Sequence, residues 1–405
     1  MPSSFSLRWF AVSVFVVSSS LNYLDRQLLV TLAPLIMQEF HLNQTAFGAL
    51  ISAFSIAYAA STLGTGWLLD RFGVNRAITA AVGWWSLAAA ATGLVRSLGG
   101  LTICRAALGV GESPSVAAVG KLNGLYLKPE ERALGAAVNG IGLSVGAAIA
   151  PLWIGVATVR GWRLPMVITG LCGLAWIPVW LLVSRAIPPR YGPTELASPA
   201  ERERLPLFAV LKERNLQILA AANVLWMGSY SLWFSWTTLY LMHVHNLTLS
   251  ATAKYVWIPP LVSNAGGFFG GWLSLRWMKK AVEAVKARRR AVWVSAVGAL
   301  VALLLPLAHD AAWATALISA SFFFALAGSV NIYALPIDLY GAQRSGMAIA
   351  ALTFAFGILQ TVISPIIGYL YHHQLYTPVL WLVTIPLLLS AALLGGLRSE
   401  HPAKT

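Results

Sequence analysis

The chain is written in long apolar blocks separated by short polar gaps. Windows of about 20 mainly apolar residues, the length that crosses a hydrocarbon core, recur twelve times. They cover roughly 8–37, 45–69, 75–95, 99–127, 132–157, 163–186, 214–241, 250–276, 290–308, 312–339, 345–371 and 376–397. The longest polar stretch runs from about Arg185 to Arg214 and divides the spans six and six. It holds Pro188, Pro189, Pro193, Pro199 and Pro206 around Glu201-Arg202-Glu203-Arg204, the composition of a linker. The pattern predicts an all-α polytopic membrane protein. A six-helix bundle over 1–187 is expected first, then a cytoplasmic linker over 188–213, then a second six-helix bundle over 214–405.

The two halves resemble each other. Gly66-Trp67-Leu68-Leu69-Asp70-Arg71-Phe72, near the end of the second span, parallels Gly271-Trp272-Leu273-Ser274-Leu275-Arg276-Trp277 near the end of the eighth. Ala150-Pro151 through Gly155 in the fifth span parallels Ser364-Pro365 through Gly368 in the eleventh. Spans two and five therefore correspond to eight and eleven, as a parallel six-helix repeat requires, and a site between two such bundles is the expectation.

Composition sharpens this. Of 405 residues 58% are hydrophobic and 10% charged, with a mean hydropathy of +0.71, whereas a soluble domain carries about 25% charged residues. The net charge of +14 is explained by topology, so no nucleic-acid partner is implied. With both termini cytoplasmic, the inner loops and tails hold 21 basic residues and the outer loops hold Arg96, Arg160, Arg163 and Lys254. That bias follows the positive-inside rule, and the expected location is the plasma (bacterial inner) membrane. The first block runs on past Asp25-Arg26 to Pro34 with no A-x-A-like cleavage site, against a removable signal peptide. Cys104 and Cys172 lie inside apolar spans with no ligand-like neighbour and read as small core residues. No metal-ligand cluster, nucleophile motif or phosphate loop is visible, so neither an enzyme nor a bound cofactor is expected.

The charges left within spans are the candidate chemistry. Asn22-Tyr23-Leu24-Asp25-Arg26 lies in the first block, where each buried charge costs about 2.5–3.5 kcal/mol on insertion scales. At about 1.5 Å per residue, Asp25 lies roughly 24 Å from the inner end of its span. Arg105 lies about 9 Å below the outer end of the fourth span and Glu112 about 20 Å. Arg105 and Glu112 are seven residues apart and share a helix face. Tyr58 in span two is at middle depth. Asn139 begins span five and is followed by Gly140, Gly142 and Gly146. In the second half the mid-span polar groups are neutral: Ser229, Tyr230, Asn264, Asn331, Tyr333 and Gln360. Trp226, Trp233 and Trp236 make that wall aromatic, which leaves room for a less polar carboxylate.

Arginines on one wall and neutral polar groups on the other suit a small organic anion, because the planar guanidinium binds a carboxylate through two hydrogen bonds. The expected substrate contacts are Arg26, Tyr23, Tyr58, Arg105, Asn139, Tyr230, Trp236, Asn264 and Gln360. Asp25 and Glu112 are the expected proton-coupling groups, and Asp70 with Arg71 the expected inner gate. Lys121 reads as snorkelling to the inner interface. Pro114, Pro259-Pro260 and Pro336 are expected to kink their spans.

Gly66 to Arg76 resembles the signature after the second helix of the major facilitator superfamily. Within it, Asn22 to Arg26 together with Arg105-x3-Gly109-x-Gly111-Glu112 resembles the anion:cation symporters, which include bacterial hexuronate and galactonate transporters. The resemblance spans essentially the whole chain. It implies proton-coupled uptake of a sugar acid or similar carboxylate by alternating access. It assigns Arg26 to the substrate carboxylate, Asp25 and Glu112 to protonation, and Arg105 to the acidic groups as partner. One departure is Asn264, where hexuronate transporters carry an aspartate in span eight. The rivals are a proton-driven exporter of a drug or metabolite, and uptake of an aromatic or monocarboxylic acid. Ala150-Pro151, in place of the Gly-Pro pair common in such exporters, favours symport. A monomer is expected.

Overall fold

The computed structural model describes residues 4–128, 131–189 and 213–398, with the backbone alone at 4–6, 63, 66, 67, 70, 133, 136, 137 and 341–347. No strand occurs among the described residues. The contacts divide into two compact units. One comprises residues 1–198 with 248–257, and the other 199–247 with 258–405. The linker expected over 188–213 lies mostly outside the described residues, from 190 to 212.

In the first unit the elements are α1 (Ser4–Thr31), α2 (Ala33–Glu39), α3 (Gln44–Phe72), α4 (Val74–Thr92), α5 (Leu98–Glu112), α6 (Ser115–Tyr126), α7 (Arg132–Ile149), α8 (Ile154–Arg160) and α9 (Arg163–Ala186). Prolines explain where single expected spans become two helices. Pro34 lies in the first turn of α2, after a break at Leu32. Ser113 and Pro114 separate α5 from α6, so Glu112 is the last residue of its helix. Pro151 opens a 3-10 turn over Ala150–Trp153, between α7 and α8. A proline lacks the N–H that a continuing helix needs but is tolerated in a first turn, where that donor is unpaired anyway.

The second unit has α10 (Arg214–Val244), α12 (Ile258–Met278), α13 (Ala284–Ala299), α14 (Ala311–His372) and α15 (Tyr376–Leu393). The short α11 (Leu249–Thr252) belongs with the first unit. Pro259 and Pro260 stand where the expected eighth span, 250–276, is interrupted between Thr252 and Ile258. They lie in the first turn of α12, again where proline is tolerated.

Helix α14 has 62 residues, and a straight rod of that length would measure about 93 Å. It is not straight. On α10, the Trp233 Nε1 donates to Ser321 Oγ at 3.0 Å, and Trp236, one turn on, packs on Tyr371 with ring centroids 5.1 Å apart. Ser321 and Tyr371 would lie about 75 Å apart on a straight helix. The backbone therefore turns back between them. Its two limbs, Ala311–Tyr340 and Ala348–His372, are each long and apolar enough to cross a membrane. They match the expected tenth and eleventh spans.

Eight described helical stretches meet that length and hydropathy requirement. The remaining four spans are α4, the interrupted α5–α6, α10 and α12, which are shorter, broken or more polar. The chain is an all-α protein with twelve transmembrane helices.

The packing repeats as the sequence pairs do. In the first unit α1 packs on α7 and α9, α4 on α5 and α9, and α3 on α5. In the second, α10 packs on α14 and α15, α13 on α14 and α15, and α12 on α14. Gly109 marks one of these contacts, since a Cβ there would lie 2.4 Å from the Phe54 carbonyl oxygen of α3. In the corresponding α12–α14 contact the glycine sits on the other helix, Gly270 of α12, where a Cβ would lie 2.1 Å from the Ala327 carbonyl oxygen. Small residues let helix backbones approach this closely, the usual basis of helix association in lipid.

Beyond the first span, α2 is tied to the start of α9. Arg163 Nη1 donates to Glu39 Oε2 at 2.6 Å, Trp162 Nε1 to the same oxygen at 2.7 Å, and Arg163 Nη2 to the Val95 carbonyl at 2.9 Å. The hydrogen bond from Arg163 holds the Glu39 carboxyl below its ordinary range.

Candidate functional site

Helix α1 places its polar residues on two faces. Ser19, Asn22, Tyr23 and Arg26 follow the i, i+3, i+4, i+7 pattern of one stripe. Asp25 is one residue from Arg26 and so about 100° around the helix. The structure uses both faces. Arg26 Nε donates to Glu112 Oε2 across to α5, while Asp25 turns toward Thr169 of α9. Adjacent in sequence, the two charges do not pair with each other.

Glu112 is fully buried, and its environment is tightly specified. Asn22 Nδ2 donates to Ser115 Oγ at 3.4 Å, and Ser115 Oγ donates to the Glu112 carbonyl at 2.8 Å. This stitches the α5–α6 break to α1. The second oxygen of Glu112, Oε1, has no hydrogen-bond partner, and neither has Asp25 Oδ1 or Arg105 Nε. All three atoms are buried, and buried polar atoms are nearly always paired. Three orphans around one ion pair mark a place built for something other than stability.

An aromatic cage surrounds the cations. The Arg26 guanidinium carbon lies 4.7 Å from the Tyr58 ring centroid, 4.9 Å from Phe54 and 5.3 Å from Tyr23. The Arg105 guanidinium carbon lies 4.9 Å from the same Phe54 ring. Phe54 and Tyr58, four residues apart on α3, stack with centroids 5.7 Å apart. The glycines of the Arg105 to Glu112 segment explain the approach. Gly109 lets α5 close on the α3 backbone at Phe54 and Tyr58, and a Cβ on Gly111 would strike Trp84 and Trp85 of α4. The residues between the two charges thus wedge α5 between α3 and α4 and leave Arg105 and Glu112 facing α1.

The structure brings Arg26, Tyr23, Tyr58, Arg105 and Glu112 together. Asn139 joins them through α1, its Oδ1 accepting from Ser19 Oγ at 2.7 Å. Arg71 is exposed at the end of α3. The Asp70 side chain lies outside the described residues.

In the second unit the expected contacts are dispersed. Tyr230 packs on Phe322 at 4.7 Å and on Phe234 at 6.1 Å. Asn264 Nδ2 donates to the Pro260 carbonyl at 2.9 Å, within its own helix. Gln360 Oε1 is buried without a partner. Trp226, Trp233 and Trp236, expected on an aromatic binding wall, are instead at most 1% exposed. Trp226 Nε1 donates to the Ala325 carbonyl at 2.7 Å, and Trp236 sits against Tyr371. Their indole planes fill the α10–α14 seam, where large rings replace lipid contact.

Two features escaped the sequence reading. Phe54 is an ordinary apolar residue in an apolar span, and its only signal is its position four before Tyr58. Arg288 of α13 donates through Nε to Asp338 of α14. The sequence pattern places Arg288 among the basic residues of the inner loops and offers no partner for it, and it marks no role for Asp338, near the end of its span.

Comparison with known proteins agrees with this architecture. The family model of the Major Facilitator Superfamily matches residues 15–332, and the chain belongs to that superfamily of membrane transporters; it is not an enzyme. It is 23% identical over 415 residues to the hexuronate transporter of Escherichia coli K12, covering 98% of this chain and 95% of that protein. It is 29% identical over 335 residues to the hexuronate transporter of Bacillus subtilis 168, covering 80% and 79%. Its fold is similar to the crystal structure of a bacterial homologue of the human lysosomal transporter Spinster in an inward-facing, unoccupied conformation. The TM-score there is 0.74 at 19% identity, covering 96% of this chain and 95% of that one.

Proposed function

We propose that the protein is a proton-coupled symporter that takes up a sugar acid of the hexuronate type by alternating access. The observation that carries this reading is the Arg26–Glu112 ion pair, buried in an aromatic cage with unpartnered Arg105 and Asp25 atoms beside it. A fully buried carboxylate on a guanidinium that stacks on three rings is a competitor for that guanidinium. A proton on Glu112 removes the competitor and frees Arg26 for the substrate carboxylate. A proton on Asp25 removes the cost of a buried carboxylate whose Oδ1 has no hydrogen-bond partner. Release of protons to the cytoplasm restores Glu112 to Arg26 and expels the substrate. Tyr23, Tyr58, Asn139 and Arg105 supply the hydrogen bonds and charge that orient a polyhydroxylated acid. The hexuronate relatives support the substrate class. A drug exporter and an uptake system for aromatic acids are the alternatives, and burial of the three tryptophans removes the main support for aromatic acids.

In this reading Asp70 and Arg71 hold the inner gate. Residues 1–187 and 214–405 are the moving bundles. The protein works as a monomer in the plasma membrane with both termini in the cytoplasm.

The test is uptake of galacturonate into vesicles of purified protein under an imposed inward proton gradient. Wild type is expected to accumulate it. Glu112→Gln, which mimics the protonated state, is expected to bind and exchange galacturonate but not to accumulate it. Gradient-driven accumulation by Glu112→Gln at the wild-type level overturns the coupling role. Failure of wild type to bind any carboxylate overturns the substrate class.

A further inference from the structure

The cage contains an arrangement that a single ion pair does not need. The guanidinium carbons of Arg26 and Arg105 lie at the same distance, 4.9 Å, from the centroid of one ring, Phe54. The two cations are therefore within about 10 Å of each other, a separation at which like charges in a low-dielectric interior repel. Each is also drawn to the ring, because the face of a phenyl group attracts a desolvated cation. Arg26 spends its Nε on Glu112. Arg105 is 5% exposed with Nε unpartnered, and it lies within electrostatic reach of Glu112, Arg26 and Asp25. Phe54 in turn is held from behind: Gly109 brings α5 against its carbonyl, and Tyr58 stacks on its ring.

We propose that Phe54 is a positioning residue that holds Arg26 and Arg105 as a two-pronged anion site. Acting together, the prongs select a sugar acid bearing two carboxylates over one bearing a single carboxylate. The inference rests on the sugar-acid reading above and moves its preferred substrate from the one-carboxylate hexuronates to sugar acids with two carboxylates. One carboxylate displaces Glu112 from Arg26, and the second satisfies the unpartnered Nε of Arg105. A monocarboxylate leaves that buried Nε without an acceptor, an omission that polar sites penalise strongly. Phe54 touches both prongs and sets their spacing.

A matched pair of probes tests this. Galacturonate and galactarate share six carbons and differ in bearing one carboxylate or two. Their affinities are measured by thermal shift on purified full-length protein and by competition in vesicle uptake. Wild type is expected to favour galactarate by on the order of ten-fold. Phe54→Leu, which keeps apolar bulk but removes the π face, is expected to bring the two acids within about two-fold, and Phe54→Tyr to restore the preference. A structural role alone would weaken both acids equally and leave their ratio in place. Should Phe54→Leu fail to fold, Arg105→Gln tests the second prong, and is expected to weaken galactarate by about ten-fold more than galacturonate, which abolishes the preference. The proposal is overturned if wild type shows no preference, or if the preference survives whichever of Phe54→Leu and Arg105→Gln folds. Binding of both acids with an unaltered ratio removes this inference alone. Binding of neither acid removes the sugar-acid reading, and this inference with it.

Discussion

The two units share a packing plan and differ in what they bury. Helix α3 closes on α5 through Gly109 as α12 closes on α14 through Gly270, and the remaining helix pairs correspond in the same way. Yet the first unit buries Asp25, Arg105 and Glu112 at mid-span with orphaned atoms. In the second, tryptophans fill the seam of α10 with α14, and the Arg288–Asp338 pair sits near the end of its span. Backbone approach is a property of small residues and can be kept while the chemistry changes. The repeat thus conserves a scaffold, and buried charge is concentrated in one copy.

The comparison can be broken most severely at Arg26. Arg26→Gln leaves Glu112 buried without its cation, and the loss of a desolvated charge pair of this kind costs several kcal/mol. Uptake is expected to fall by at least about a hundred-fold. Arg26→Lys is expected to recover little of it, because a point charge lacks the planar fork. Substrate titrations of initial uptake rate measure both.

The glycine pair separates scaffold from chemistry. Gly109→Ala and Gly270→Ala each force a Cβ into a backbone oxygen, and each is expected to lower stability by about 1–3 kcal/mol. Only Gly109→Ala moves the ring on which both arginines rest. Its uptake should drop well beyond the stability loss, while folded Gly270→Ala should transport near normally. Equal effects on transport would mean that the glycines do nothing but pack.

A smaller effect is expected at Arg288–Asp338. Asp338→Asn strands a guanidinium that is 19% exposed, and a loss of about 2 kcal/mol follows for so largely desolvated a pair. The double replacement Arg288→Met with Asp338→Leu should be less damaging than either single change, since apolar partners of similar volume often replace a buried pair without loss. Thermal unfolding of the three variants decides it.

The smallest effect is at Glu39. Its carboxyl is held below the ordinary range by Arg163. The ion pair therefore contributes fully above about pH 4.5, and its contribution is lost as pH falls through the depressed value. Both side chains are a third or more exposed, so the contribution is under about 1 kcal/mol. Melting temperature followed from pH 6 to pH 3 should fall less steeply in Glu39→Gln than in wild type.

Most of the fold was legible because lipid imposes a single length on every crossing segment. The twelve apolar windows coincide with helices even where α14 runs through its reversal without a break in backbone helix. Pro259 and Pro260 do mark a break in the eighth span, but sequence alone did not say that they open a helix instead of bending one. Depth put Arg26 and Arg105 in the outer half and Glu112 about 10 Å further in, and the structure nevertheless brings all three together. It did not say which carboxylate Arg26 meets, because depth carries no azimuth. The 100° between Asp25 and Arg26 held that answer, but only once the positions of α5 and α9 were known. Phe54 and the α10 tryptophans were beyond reach for one reason. Apolar residues in apolar spans look alike until their neighbours are seen.

The two faces of α1 bear on how this segment can evolve or be engineered. Between Ser19 and Arg26, side chains can drift so long as each keeps its own neighbour. Length cannot. One inserted or deleted residue would rotate everything beyond it by about 100°, aiming a carboxylate where a guanidinium belongs, with no repacking to absorb the turn. Libraries built on this helix should therefore vary letters and never spacing.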